Sequence, residues 1–340
     1  MKKTFSIGVL LTGCISLALA WGAWGHQHIN RAAVFALPEP ERTFFYNHID
    51  FITEEAVVPD LRKYTINDRA EFPRHFINLE SYDAKGDITN LPVTMKEAKA
   101  RYPDSLLSKA GILPWYIQEV VEKLTKAFKG KRKTEILFLA ADLGHYIGDA
   151  HMPLHTALNH DGQLTGQKGI HALWEGQLPE TFGDRYNLYT GPARYIGDIA
   201  RETWQMIDST HRLAERLLSI DRELSASLPR ERVYRMDSAG HIQTNQFGDF
   251  VHTREYVEKY SERLNGMVER QLRGAIAETA SYWYTAWVNA GKPDLSELDP
   301  LELTERNKKN LSDDLSRWQK GRVDMFRPDG EFTKWAGPAH

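Results

Sequence analysis

Cysteine is almost missing: Cys14 is the single cysteine in 340 residues, and it falls within the first twenty. A chain that loses that segment has no thiol, which excludes disulfides, thiolate metal ligands and a cysteine nucleophile. A positive charge excess is missing too. Forty-three basic residues face 46 acidic ones for a net charge of −3, and losing Lys2 and Lys3 would take it to −5. That argues against gripping duplex nucleic acid through a general basic surface, although a local basic cleft stays open. The one long apolar run, Ile7 to Leu19, is too short to count as a membrane span. No Gly/Ser-rich linker, repeat or low-complexity tract divides the chain, and the peptidase run His-Glu-x-x-His does not occur.

What is present begins at the N-terminus. Lys2 and Lys3, the apolar run and the small-x-small triplet Ala18-Leu19-Ala20 have the form of a cleavable export signal over residues 1–20. A rival processing signal, Leu11-Thr12-Gly13-Cys14, has the shape of a lipoprotein box and would leave a lipidated Cys14. Cleavage after Ala20 would instead free the amine of Trp21. With an ordinary pKa of roughly 8, that amine can give up its proton to a metal ion, and His26, five residues on, can join it. The expected location is therefore periplasmic or secreted.

Helical periodicity runs through most of the sequence. Ile117, Val120, Val121, Leu124 and Phe128 follow one face behind Pro114, and Ile136, Leu139, Ala140, Leu143 and Ile147 repeat the pattern. Ile196, Ile199, Ala200, Thr203 and Ile207 do so again, then Val257, Tyr260, Leu264, Met267 and Val268. Strand-like alternation is scarce. The expectation is an all-α fold with one mostly helical domain over 21–300 and a charged, peripheral extension over 301–340. Residues 65–74 and 153–170 read as loops beside the histidines. The polar stretch 221–250 fits a lid or an insertion.

His145 and Asp149 are four apart on an expected helix and share a face. Pro153 should end that helix and let His155 turn back toward the same place. His171 and Glu175 repeat the i, i+4 spacing. One such pair alone also fits a surface ion pair. Two within about thirty residues resemble the inward-facing ligand sets of helical metalloproteins.

Taken together, Trp21, His26, Asp60, His75, His145, Asp149, His155, His171 and Glu175 form an ordered pattern. It resembles the superfamily that joins bacterial zinc-dependent phospholipases C to the single-strand-specific zinc nucleases of fungi and plants. The similarity runs from Trp21 to about Glu175. It implies a cleft with three zinc ions. His75, His145 and Asp149 would hold the first, His155, His171 and Glu175 the second, and the amine and carbonyl of Trp21 with His26 the third, with Asp149 bridging the first and third. Asp60 matches the acidic residue beside the bridging water, a general base or water orienter. Imidazole and carboxylate suit Zn²⁺, and a metal-activated water attacking phosphorus in line is the implied chemistry.

The substrate is divided between the two branches. Phe76 stands where the nucleases stack a base, but Asn78 replaces the Asp with which they bond one. Glu175 replaces their usual Asp, Asp161-Gly162-Gln163 replaces their Gly/Asn run, and the run Ala141 to Asp149 looks like bacterial members grouped with the phospholipases C. The reading is a phospholipase C-like phosphodiesterase. The single-strand nuclease is the alternative, and a noncatalytic metal-containing binding protein is the rival from another class. Phospholipid or single-stranded nucleic acid is the partner expected; no protein partner can be inferred. Asp142 is a candidate to orient a ligand, and Arg62 and Lys63 are candidates to touch phosphate or mere surface charges. His28, His48, His151 and His160 fall off the pattern. The aromatic run 282–287 is expected in the core.

Overall fold

The computed structural model describes residues 22–245, 248–299 and 305–325. The expected export signal, Trp21 and about half of the expected C-terminal extension, 301–304 and 326–340, lie outside the described residues.

The principal helices among the described residues are α1 (Gly22–Ala36), α2 (Ile49–Glu55), α3 (Val58–Tyr64), α4 (Leu113–Lys129), α5 (Lys133–Ala150), α6 (Ile199–His211), α7 (Ala214–Ala226), α8 (Arg254–Leu264), α9 (Met267–Asn289) and α10 (Glu305–Trp318). The fold is all-α. Among the described residues β-structure is confined to three isolated bridges, Tyr234 with His252, Met236 with Ile242 and Thr244 with Phe250. They close the 234–252 loop on itself and account for the polar stretch after α7. No helix among the described residues is long and apolar enough to cross a membrane.

The core follows from the periodic faces. Ile117, Val120, Val121, Leu124 and Phe128 of α4 are all buried, as are Ile136, Ala140, Leu143 and Ile147 of α5. Each such Val, Leu, Ile or Phe side chain contributes about 1.5–3 kcal/mol relative to exposure. α1, α4, α5 and α9 pack on one another, with α2 against α1 and α5. Trp283 is fully buried on α9 and donates its Nε1 proton to the Ala140 carbonyl at 2.9 Å. Tyr282, also fully buried, pairs with Thr203 at 2.8 Å.

Two glycines let α1 and α5 approach closely. A Cβ on Gly144 would lie 1.8 Å from Asn30 Oδ1. That space admits the Asn30 side chain, whose amide donates to Ile52 O at 3.2 Å and Ala141 O at 3.0 Å. One turn on, a Cβ on Gly148 would lie 3.0 Å from His26 Nδ1. His26 is thereby seated against the ligand-bearing face of α5.

Three local expectations change. The face from Val257 to Val268 is split between α8 and α9 by Asn265 and Gly266, whose φ of 49° and 73° are left-handed and end a helix. Ile196 precedes α6, which starts after Asp198, where the side chain accepts the Arg201 amide as a cap. The described part of the C-terminal region packs on the core: Trp318 is 5% exposed and lies 6.4 Å from Phe35 and 4.7 Å from Tyr189, while Arg31 Nε donates to Asp324 O at 2.8 Å.

Candidate metal centre

α5 carries His145 and Asp149 inward, both fully buried. Its last residue is Ala150, and Pro153 opens a single 3₁₀ turn, Pro153–Thr156, that swings His155 back beside Asp149. His155 Nδ1 lies 3.3 Å from Asp149 Oδ1. A second 3₁₀ turn, Phe72–His75, delivers His75. α3 supplies Asp60 and α1 supplies His26, both fully buried. The His171/Glu175 pair does not sit on a regular α-helix: Ile170–Ala172 runs into the π-helical turn Leu173–Gln177. Wider turns of this kind recur at functional sites, and this one still leaves His171 Nε2 at 3.2 Å from Glu175 Oε1.

These side chains gather into three groups whose donor atoms lie within 4.8 Å of one another: His26, His145 and Asp149; Asp60, His75 and His145; and His155, His171 and Glu175. Asp149 faces two ways. Oδ2 is 3.0 Å from His75 Nδ1 and 3.3 Å from His145 Nε2, while Oδ1 is 3.6 Å from His26 Nε2. Asp60 Oδ1 is 3.6 Å from His75 Nδ1 and 4.0 Å from His145 Nε2, close enough to serve as a donor itself. In the third group His155 Nε2 is 3.2 Å from His171 Nε2 and 3.5 Å from Glu175 Oε2.

The donor set suits a metal ion. Three imidazoles have Nδ1 within 2.7–2.8 Å of a backbone carbonyl: His145 on Ala56, His155 on His75 and His171 on His160. Donation there fixes the tautomer and turns the Nε2 lone pair inward, the arrangement expected of metal-binding histidines. Among the described residues, no hydrogen bond satisfies either nitrogen of His26, Asp60 Oδ2, Asp149 Oδ1 or Glu175 Oε2. Buried polar atoms are rarely left in that condition without a further partner.

The charge states agree. Burial, with the neighbouring His145, lowers the His26 pKa to about 3, so the ring is neutral. Burial pushes the Asp149 carboxyl up, but His145 and His155 outweigh it and hold it well below its usual range. Burial pulls His171 down, but the Glu175 charge outweighs it and carries the ring to about 9. A metal ion would displace that proton.

A cavity of about 580 Å³ opens beside the groups and is lined by His75, His155, His171 and Glu175 together with Phe76, Asn78, Phe72, Tyr64, Lys63 and Lys109. Gly22 lines it as well. Lys63 is largely buried, with Nζ 3.4 Å from Asp60 Oδ1 and 4.3 Å from the centre of the Tyr64 ring. Burial disfavours its charge, but Asp60 outweighs this and raises its pKa.

Other sequence candidates go elsewhere. Asp142 touches no ligand; its Oδ2 accepts from Arg62 Nη2 at 2.7 Å. Arg62 in turn reaches Glu71, so it is tied up in the fold instead of facing the cavity. His28 stacks on Trp24, His48 pairs with Asp299 and His151 pairs with the Ile147 carbonyl. His160 lines the cavity through the 157–169 loop. Glu71 was missed. It stands four residues before His75, the spacing already informative in the other two pairs.

An all-α scaffold whose buried imidazoles and carboxylates gather beside an open cavity has the donor groups of a helical metalloprotein. A family model of the S1/P1 nucleases matches residues 21–277, and the chain belongs to that family. It is a zinc-dependent phosphodiester hydrolase. No curated protein matches the chain.

Proposed function

We propose that this chain is an exported zinc nuclease that cleaves single-stranded DNA and RNA. The wall beside the metal groups carries the reading. Phe76 follows His75 directly and meets Phe72 edge to face at 5.3 Å, and both rings line the cavity. Phe72 is 50% exposed, so a base has a surface to stack on. Such stacking is worth about 1–3 kcal/mol per base and requires a base free of its duplex partner. The family match supports the same substrate class.

Zinc held by His75, His145 and Asp149, by His155, His171 and Glu175, and by Trp21 with His26 would supply an acidified water and positive charge for phosphoryl oxygens. The chain's own groups position the rest. Asp60, buried with Oδ2 unpaired among the described residues, orients the water or takes its proton. Lys63 offers charge to a substrate phosphate at the cavity wall, and Asn78 offers a neutral amide to a base edge. Gly22 in the cavity lining supports Trp21 as the amine-bearing ligand once a leader is cut at Ala20.

Glu175 favours a second reading, since the phospholipase C branch carries Glu at that position. A side-by-side assay of the zinc-loaded protein on single-stranded DNA, RNA and phosphatidylcholine tests both. Cleavage of the nucleic acids with little turnover of the lipid is expected. The reverse preference would overturn the nuclease reading in favour of the phospholipase C.

A further inference from the structure

Three of the imidazoles in the centre are held by backbone carbonyls, but His75 is not. It faces Asp149 and His145 through Nδ1, at 3.0 and 3.1 Å, and turns Nε2 outward. There Glu71 Oε1 is 3.4 Å away, near but short of a formed hydrogen bond, and Nε2 is buried with no hydrogen-bond partner among the described residues. Glu71 is fully buried. A lone buried carboxylate would be costly, yet this one is compensated. Arg62 Nε donates to it at 3.0 Å, Arg74 Nη1 at 2.9 Å, and the Tyr146 hydroxyl donates to Oε1.

The clamp also ties two elements together. Arg62 Nη2 reaches Asp142 at 2.7 Å and the Tyr146 hydroxyl at 3.2 Å, so α3 and the turn bearing His75 are both pinned to α5. Asp142 lies three residues before His145. The ring that must present the less usual nitrogen is thus oriented by a side chain, and that side chain is immobilised by two guanidinium groups.

We propose that Glu71 is a positioning residue for the metal centre: by accepting a hydrogen bond from the Nε2–H of His75 it directs the Nδ1 lone pair to the ion shared with His145 and Asp149. This rests on the zinc-centre reading above. Arg62, Arg74 and Tyr146 act through Glu71, holding its carboxylate in register. Loss of an outer partner of a metal-binding histidine lowers metal affinity by about 10–100-fold.

The test is a zinc titration of the metal-stripped mature protein by chelator competition, comparing wild type with Glu71→Ala and Glu71→Gln. Melting temperature without metal serves as the folding check. Glu71→Ala should weaken one zinc ion per chain by about 10–100-fold and leave the others unchanged. Glu71→Gln, whose amide oxygen still accepts a hydrogen bond, should fall between the two. In zinc-loaded wild type, ¹H–¹⁵N correlation should place the His75 proton on Nε2. If Glu71→Ala does not fold, Glu71→Gln carries the comparison. Wild-type affinity in the folded variants, or equal weakening of every ion, would overturn the role of Glu71. If wild type itself takes up no zinc, the metal-centre reading fails first.

Discussion

Gly148 on α5 and His26 on α1 stand so close that an added Cβ would lie 3.0 Å from His26 Nδ1. The His26 ring also stacks on His145 with centroids 3.8 Å apart, leaving it little room to retreat. Gly148→Ala should therefore shift His26 by a few tenths of an ångström. One zinc ion per chain should be lost at limiting metal, with the remaining ions retained. Metal analysis after dialysis against a weak chelator checks this; full retention of zinc would show that the ring can yield without cost.

The substitution Asp60→Asn separates two roles that geometry leaves joined. Asp60 lies near His75 and His145 as a donor and near Lys63 as a charge partner. An amide keeps an oxygen for the metal but cannot take a proton. Turnover should fall by about 10²–10⁴-fold, the range for losing a general base, while zinc content holds. Unchanged turnover would remove Asp60 from the mechanism. Loss of zinc along with activity would identify it chiefly as a ligand.

Much of the centre was legible because its spacings are local. His145 and Asp149 share a helix face at i, i+4, and Pro153 forces the turn that returns His155. The 3.6-residue period located α4 and α5 for the same reason. What escaped was set by contacts across the chain. Asp142 was a candidate to orient a ligand or to lie on a solvated face, and its carboxylate binds Arg62, eighty residues earlier. Arg62 then braces Glu71, a connection no spacing encodes. The break between α8 and α9 was written in Asn265-Gly266, but an apolar period that continues through both helices concealed it.

If Phe76 and Phe72 stack bases, their removal should act on binding and not on chemistry. Phe76→Ala should raise KM for a short single-stranded oligonucleotide by roughly 5- to 150-fold, equivalent to about 1–3 kcal/mol of stacking, with kcat little changed. Phe72→Ala, the more exposed ring, should have a smaller effect. Steady-state kinetics on the same strand with and without an abasic site provides the check. An equal KM rise on both strands would assign the rings to cavity shape.

Away from the centre, Glu41 offers a test of stability against pH. It is fully buried at the start of the Glu41–Asn47 helix, and neither carboxylate oxygen has a hydrogen-bond partner among the described residues. Burial raises its pKa well above the usual value, and the nearby Lys292 offsets only part of this. The folded state therefore holds the proton over a range in which the unfolded chain has released it. Stability is least compromised below the ordinary carboxylate pKa and falls as pH rises from there to the raised folded value. Glu41→Gln keeps the shape and removes the charge. It should be more stable than wild type at pH 7 by about 1–3 kcal/mol, the usual scale for relieving a buried unpaired group. The advantage should shrink as pH falls from the raised folded value toward about 4 and level off below it, where the unfolded chain also takes up the proton. Urea denaturation of both proteins from pH 4 to 8 in a chelator measures the difference without metal linkage, and a difference independent of pH would mean that Glu41 is neutral, or equally charged, in both states.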